Sequence, residues 1–175
     1  MTIRYKDIRK NLDDVFTRMN SDGLEIGTVV NLGTGTEQLG LYFSDRFGCK
    51  KTQLPSVIRK GRNRKLAHIL NSSYPYFPEF ALKLLSYGYR RLYSGSERII
   101  PDISLKGMLS DTGLPVLLVD DNCFTGNSLN LWKTRIENET KIRVKTFAIT
   151  VTGNFRPDYF CFEGWHSFEW RPIGI

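Results

Sequence analysis

The sequence is poor in the residues that build disulfide frameworks and metal centres. It has only three cysteines, Cys49, Cys123 and Cys161, without a CxxC spacing, and only two histidines among 175 residues. This composition argues against a disulfide scaffold, a zinc knuckle or a His-rich metal site. No apolar run approaches the roughly 18 residues of a membrane-spanning helix. The first seven residues lack the apolar core of a secretory signal, so we expect a cytoplasmic protein.

Glycine and proline are also sparse, with fifteen and seven residues scattered along the chain, which argues against a fibrous or low-complexity protein. Hydrophobic residues make up 41% and aromatic residues 13% of the sequence, which excludes disorder caused by low hydrophobicity. A chain of this length buries roughly 70% of its extended surface on folding. Because no repeat or linker interrupts the sequence, we predict a single domain over residues 1–175.

The net charge of +7 is unevenly distributed. Acidic residues are absent from residues 46–65, which contain eight basic ones: Arg46, Lys50, Lys51, Arg59, Lys60, Arg62, Arg64 and Lys65. Two adjacent carboxylates, Asp120 and Asp121, instead follow an apolar run. A positive segment separated from an acidic pair indicates a site that handles phosphates together with a divalent cation.

Hydrophobic periodicity predicts an α/β domain. The predicted helices cover residues 3–20, 37–47, 77–92 and 127–138, and the predicted strands cover residues 24–32, 54–58, about 99–103, 116–119 and 141–152. The strand at 116–119, the polar turn at 120–126, the helix and the strand at 141–152 form a βαβ unit, which predicts a parallel sheet.

The segment VLLVDDNCFTGNSL, residues 116–129, contains the parts of a phosphate site. In open parallel sheets, ligands bind beyond the carboxyl ends of the strands, where this strand places Asp120 and Asp121. Gly126 would let a phosphate approach the backbone at the start of the next helix, whose free N–H groups favour an anion. Alternatively, residues 116–129 form an ordinary strand-to-helix turn without a phosphate site, and the two aspartates are simply exposed to solvent.

This segment closely resembles the phosphoribosyl-pyrophosphate (PRPP) motif of type I phosphoribosyltransferases, in which four apolar residues and two acids precede Thr-Gly-x-Ser/Thr. The resemblance implies a central, mostly parallel sheet flanked by helices, with a small hood over about residues 153–175. It assigns the ribose hydroxyls and Mg²⁺ to Asp120 and Asp121. The loop that would bind the 5′-phosphate consists of Phe124, Thr125, Gly126, Asn127 and Ser128. The implied reaction, part of nucleotide salvage, transfers phosphoribosyl from PRPP to a nucleobase and releases pyrophosphate.

Three further segments resemble parts of the same family. The turn Gly33, Thr34 and Gly35 occupies the place of the pyrophosphate loop, although many members carry a Lys or Arg there. Arg59, Lys60 and Lys65 resemble the start of a mobile loop that binds pyrophosphate; alternatively, the basic run is a solvated face or a nucleic-acid patch. Residues 156–163 resemble the beginning of the purine-type hood, which would make Phe168 the aromatic that stacks on the base and Glu169 a backbone contact. Phe168 could equally be a core residue.

Two positions depart from the pattern of enzymes that use 6-oxopurines. Phe124 replaces the Asp that exchanges a proton with the purine ring, and Val151 replaces a Lys that reads the 6-oxo group. Orotate- and adenine-type enzymes lack that Asp, so the loss does not exclude catalysis. Cys123 has no nearby His in the sequence, and we do not expect a catalytic thiol.

Three other functions compete with phosphoribosyl transfer to a nucleobase-like acceptor. A non-catalytic member of the same fold could sense PRPP or a nucleotide. A nucleic-acid-binding module could use the basic segment, but it would leave the acidic pair unexplained. A phosphorelay receiver begins with a similar run of acids, but the 60 residues from Val116 to Ile175 are too few to complete one. The resemblance leaves a homodimer open.

Overall fold

The computed structural model describes residues 2–3, 5–33, 36–59, 98–164 and 167–168, with side-chain surroundings for residues 7–33, 36–57 and 98–164. The helices in these ranges are α1 (Tyr5–Ser21), α2 (Glu37–Phe47) and α3 (Asn127–Thr140). The strands there are β1 (Thr2–Ile3), β2 (Thr28–Leu32), β3 (Lys50–Leu54), β4 (Ile58–Arg59), β5 (Arg98–Ile99), β6 (Val116–Cys123), β7 (Val144–Val151), β8 (Tyr159–Glu163) and β9 (Ser167–Phe168).

The central sheet has five strands in the order β3-β2-β6-β7-β8, and every neighbouring pair is parallel. The predicted βαβ unit is confirmed, because α3 connects the adjacent parallel strands β6 and β7. Strand β6 occupies the middle position, and its first four residues are buried. A strand covered on both faces requires a continuous apolar run, which residues 116–119 supply.

The core lies on both faces of this sheet. Helices α1 and α2 cover one face, where their apolar stripes pack against alternate residues of β2, β6 and β7. The buried cluster on this face includes Ile8, Leu12, Val15, Met19, Val29, Leu39, Phe43, Leu117, Val119, Phe147 and Ile149. Helix α3 contacts β6 and β7 and buries Leu129, Trp132 and Ile136. The mostly parallel, helix-flanked sheet predicted from the sequence is therefore present.

The chain divides into two compact units, one formed by residues 1–56 and 102–172 and the other by residues 57–101 and 173–175. The first unit contains the central sheet and the short parallel pair β1-β9. The second contains the antiparallel pair β4-β5, in which Ile58 lies opposite Ile99. The single domain over residues 1–175 stays a prediction.

Helix α2 has the predicted bounds, and Gly48 ends it in the left-handed conformation with φ of +60°. Helix α3 also starts where expected. The strand predicted at 54–58 is wrong: β3 occupies residues 50–54, and Pro55 follows in a loop. As an edge strand with Lys50 and Lys51 partly in solvent, β3 lacks the apolar run on which the prediction relied.

Other predicted bounds differ because pairing, rather than composition, sets the length of a strand. Strand β6 continues through both aspartates to Cys123, so the predicted turn at 120–126 is shorter than expected. The strands predicted at 24–32 and 141–152 shorten to residues 28–32 and 144–151. The strand predicted at about 99–103 is instead β5 at residues 98–99 and shares only Ile99 with the prediction. The helix predicted at 77–92 lies outside the described residues. Among the helices that the structure describes, none is long and apolar enough to cross a membrane.

A carboxylate ties the beginning of β8 to β7. Asp158 accepts hydrogen bonds from the Thr146 amide and hydroxyl, both at 2.8 Å, and lies 3.3 Å from the Lys145 ammonium. Burial acts to raise the pKa of Asp158, but the Thr146 hydrogen bonds and the Lys145 charge outweigh it and hold the pKa below its ordinary value. The interactions of Asp158 with Thr146 and Lys145 therefore stabilise the fold only while the Asp158 carboxylate is ionised.

We expect Asp158→Ala to lower the free energy of unfolding by about 1 kcal/mol at pH 7, a modest amount because the site is partly solvated. The wild-type advantage should be complete above the unfolded pKa of about 3.9 and disappear as the pH falls through the lower folded pKa. Urea unfolding at several pH values measures it, with the exposed loop residue Asp111→Ala as the control. A pH-independent difference would show that the carboxylate charge is irrelevant.

Candidate functional site

The candidate site lies at the edge of the central sheet where the parallel strands end. Three consecutive strands in the sheet order, β2, β6 and β7, finish at Leu32, Cys123 and Val151. The turns that follow them therefore begin at the same edge. These turns contain Gly33, the segment 124–126 and the segment 152–158.

The acidic pair occupies the last part of β6. Both Asp120 and Asp121 are half-buried, and the Asp121 amide donates a 2.9 Å hydrogen bond to Oδ1 of Asp120. Burial, followed by the neighbouring Asp121 carboxylate, raises the pKa of Asp120 well above its ordinary value. Two carboxyl groups held this close disfavour double ionisation, and a cation or hydroxyl donors would relieve the repulsion.

The two carboxylates suit a magnesium ion whose other coordinating atoms would come from a bound phosphate compound and water. Within the described ranges, no cluster of three or more His, Cys, Asp or Glu side chains could bind a metal. Asp120 and Asp121 supply two carboxylates, and Mg²⁺ in phosphate-binding sites is commonly bound by one or two carboxylates together with substrate phosphates and water. These residues would therefore fit Mg²⁺ brought in with a diphosphate.

The turn between β6 and α3 has the form of an anion cradle. Gly126, with φ of +67°, is the N-cap of α3 and makes no side-chain capping bond, although its carbonyl accepts the Asn130 amide at 2.8 Å. Asn127 is exposed, and Phe124, Thr125 and Ser128 are half-buried. The first turn of α3 begins at the same edge of the sheet as the acidic pair, and its backbone N–H groups could receive a phosphate.

The loop between β7 and β8 packs directly on this turn. The Thr152 amide donates a 2.9 Å hydrogen bond to the Cys123 carbonyl. Gly153 lies so close to the Phe124 carbonyl oxygen that an added Cβ would overlap it. The Phe155 ring occupies the space that a Cβ on Gly126 would need. The sequence analysis did not predict this packing. Gly153, two residues after the end of β7, is the local feature that could have indicated a close backbone contact.

The Cys123 thiol belongs to the buried support of the turn. Burial, reinforced by the Asp120 carboxylate, raises the pKa of Cys123 to about 12. The thiol is therefore protonated at neutral pH, which agrees with the expectation that it is not a nucleophile.

Gly33 lies at the end of β2, beside β6, with φ of +74°. Its amide donates to the Leu54 carbonyl at 3.2 Å, and its carbonyl accepts from the Gln53 side chain at 3.0 Å. An added Cβ would lie 2.6 Å from the Ser56 hydroxyl oxygen. The structure thus places Gly33 at the same edge as the acidic pair, whereas Thr34 and Gly35 lie outside the described residues.

The remaining predicted site residues are described only in part. Arg59 contributes its backbone to β4, in the second compact unit. Phe168 contributes its backbone to β9, where it pairs with Ile3. Lys60, Lys65 and Glu169 lie outside the described residues. Their assignments to pyrophosphate and base therefore stay predictions.

Asn31 is a polar residue that the sequence reasoning did not single out. It lies in the penultimate position of β2 with only 1% of its surface exposed, and among the described residues neither its amide nitrogen nor its amide oxygen has a hydrogen-bond partner. The side chain fills the space that a Cβ on Gly40 of α2 would take, so the helix can approach the strand closely only with glycine there. Burying an unpaired amide costs stability.

Comparison with solved structures finds proteins of similar fold. A purine phosphoribosyltransferase from Pyrococcus horikoshii Ot3 matches with a TM-score of 0.63 and 12% identity, over 100% of this chain and 96% of that one. The Helicobacter pylori xanthine-guanine-hypoxanthine phosphoribosyltransferase matches with a TM-score of 0.60 and 13% identity, over 97% and 93%. A hypothetical protein from Neisseria gonorrhoeae with bound ppGpp matches with a TM-score of 0.60 and 10% identity, over 99% and 92%.

These likenesses show that the chain has a type I phosphoribosyltransferase-like fold, as the sequence motif implied. No family model matches the sequence, and no curated protein matches it significantly. Because the identities to these structures lie between 10% and 13%, the similarity establishes the fold, and the site chemistry has to be argued from this chain's own residues.

Asp120→Asn should stabilise the protein when magnesium and ligands are absent. The raised pKa means that ionisation of Asp120 costs folding free energy, and this cost grows as the pH rises from the unfolded value of about 3.9 towards the higher folded value. We expect a gain of roughly 1 kcal/mol at pH 7 and none below pH 4. Thermal unfolding across this pH range measures the gain in stability. A loss of stability at pH 7 would contradict the interpretation that ionisation of Asp120 beside Asp121 destabilises the fold.

Proposed function

We propose that this protein is a magnesium- and PRPP-dependent phosphoribosyltransferase that transfers phosphoribosyl to a nucleobase or related acceptor and releases pyrophosphate. The observation that carries the proposal is the strand–turn–helix of residues 116–129. It places a carboxylate pair and the N-terminus of a helix whose N-cap is a glycine at the carboxyl end of a central strand. The likeness to purine phosphoribosyltransferase structures supports this function at the level of the fold.

The proposed mechanism relies on positioning and electrostatics. The N–H groups at the start of α3 bind the 5′-phosphate, and the carboxylates of Asp120 and Asp121 accept hydrogen bonds from the ribose hydroxyls. Two anchors on one sugar hold its anomeric carbon at a defined place, which lowers the entropic part of the barrier. The same carboxylates stabilise positive charge that develops on the sugar as the bond to pyrophosphate lengthens. Magnesium, when bound, would neutralise the departing pyrophosphate.

The turn itself does not supply a general base. Phe124 has no titratable group, and the Cys123 thiol is protonated at neutral pH because its pKa is raised to about 12. The ring nitrogen of the acceptor must therefore already be unprotonated or lose its proton to solvent or to pyrophosphate. This favours acceptors whose reacting nitrogen carries a lone pair at neutral pH over bases that require a protein proton acceptor.

The second candidate function is a non-catalytic protein of the same fold that binds PRPP or a nucleotide as a signal. Phe124 and Val151 stand where 6-oxopurine enzymes have polar groups, and the similar Neisseria gonorrhoeae structure contains bound ppGpp. Such a protein would retain the phosphate turn and the carboxylate pair but would not release pyrophosphate. A nucleic-acid-binding module ranks below both because it gives the acidic pair no role.

The double variant Asp120→Asn, Asp121→Asn should lower PRPP-dependent pyrophosphate release at least about 100-fold, because both electrostatic partners of the ribose are lost. The assay measures pyrophosphate release with magnesium, PRPP and a panel of nucleobases. Asp45→Asn, an exposed carboxylate on α2, is the matched control and should retain the wild-type rate. Circular dichroism checks that the double variant is folded.

The outcome for the wild-type protein separates the two candidate functions. Turnover with any base supports the enzyme. Binding of magnesium-PRPP or ppGpp by calorimetry without turnover on the whole panel supports the sensor. Turnover that survives in the folded double variant would remove the carboxylate pair from the mechanism.

A further inference from the structure

We infer that Phe155 is a positioning residue that holds the phosphate-binding turn in the conformation that receives the 5′-phosphate. This inference rests on the proposed function and extends it to a residue of the β7–β8 loop. Phe155 follows β7, whereas the turn that it contacts follows β6, so the contact is tertiary.

The turn needs such a support because its N-cap residue, Gly126, makes no side-chain capping bond. An N-cap residue ordinarily has extended backbone dihedrals and a side chain that accepts an N–H of the first turn. Gly126 instead adopts φ of +67° and has no side chain to make the bond. Glycine visits many other conformations at little cost, so the left-handed geometry must be selected by its surroundings. The half-buried Phe155 ring, packed on the Cβ side of Gly126, provides that selection.

Phe155 is itself held in place from both directions along the loop. On the N-terminal side, the Thr152 amide bonds to Cys123, and Gly153 abuts the Phe124 carbonyl. On the C-terminal side, the Arg156 guanidinium donates a 2.8 Å hydrogen bond back to the Gly153 carbonyl and lies 3.5 Å from the Glu163 carboxylate. The loop therefore presents the ring to Gly126 from anchored neighbours.

The role of Phe155 should be confined to one part of the ligand. The ring contacts the turn that would bind the 5′-phosphate, whereas the family resemblance assigns pyrophosphate to other residues, Gly33 among them. Loosening the turn should weaken ligands that carry a sugar 5-phosphate and leave magnesium-pyrophosphate unaffected. A merely structural role would weaken both classes of ligand together.

The test is calorimetry on Phe155→Ala with two probes, ribose 5-phosphate and magnesium-pyrophosphate. We expect the Kd for ribose 5-phosphate to rise about tenfold through lost preorganisation, and the Kd for pyrophosphate to stay at the wild-type value. Asn154→Ala, an exposed neighbour in the same loop, is the matched control and should bind both probes normally. Phe155→Tyr retains the ring and should recover most of the affinity.

Hydrogen exchange provides a readout that needs no ligand. The Asn130 amide bonds to the Gly126 carbonyl, so Phe155→Ala should speed its exchange relative to amides in the middle of α3. If Phe155→Ala does not fold, Phe155→Leu keeps part of the contact and should show the same pattern with smaller changes.

The possible outcomes distinguish this inference from the proposed function. Wild-type protein that binds neither probe overturns both. Wild-type protein that binds ribose 5-phosphate, together with folded Phe155 variants of unchanged affinity and unchanged Asn130 exchange, overturns the positioning role alone. Equal weakening of both probes also overturns it, because the effect would then not be specific to the turn.

Discussion

The parallel pairing of β6 between β2 and β7 is the constraint on which the rest of the structure depends. Because the strand is central, residues 116–119 must be apolar, and because its neighbours run in the same direction, their following turns meet at one edge. Asp120 and Asp121 therefore belong to the same strand as the buried residues 116–119 and still lie near the edge where the turns begin. The helix that follows must start at the same edge, so its N-terminal N–H groups belong to this end of the sheet.

Features that cost stability accumulate at this edge. The pKa of Asp120 is raised by burial and by Asp121, and the amide of Asn31 is buried with no hydrogen-bond partner in the described part of the chain. Each departs from what a sequence optimised only for folding would contain. The pKa of Asp158 shifts in the opposite direction, because Thr146 and Lys145 lower it. This carboxylate stabilises the sheet by linking the start of β8 to β7. The contrast distinguishes Asp158, a structural carboxylate, from Asp120, to which we propose a ligand-binding role.

The fold is shared with solved phosphoribosyltransferases at 12% and 13% identity because different apolar residues can fill the same layers of the core. What such similarity does not carry over is the chemistry at individual positions. Phe124 and Val151 differ from the residues of 6-oxopurine enzymes, whereas the carboxylates and the Thr-Gly turn of the motif are retained. Under the proposed function, recognition of the sugar phosphate and choice of the acceptor would therefore be separable properties.

The sequence by itself determined the βαβ unit, both ends of α2, the start of α3 and the motif at 116–129, because hydrophobic periodicity and glycine stop signals act over a few neighbouring residues. It misplaced β3, whose polar edge position leaves no periodic signal. Only the tertiary structure decided that β6 runs through the aspartates, that Gly33 shares their edge, and that Gly153 and Phe155 pack on the turn. Phe155 and Gly126 belong to turns after different strands, and their contact exists only once the strands have paired. The sequence pattern within either turn cannot indicate such a contact, because it depends on how the two strands pair.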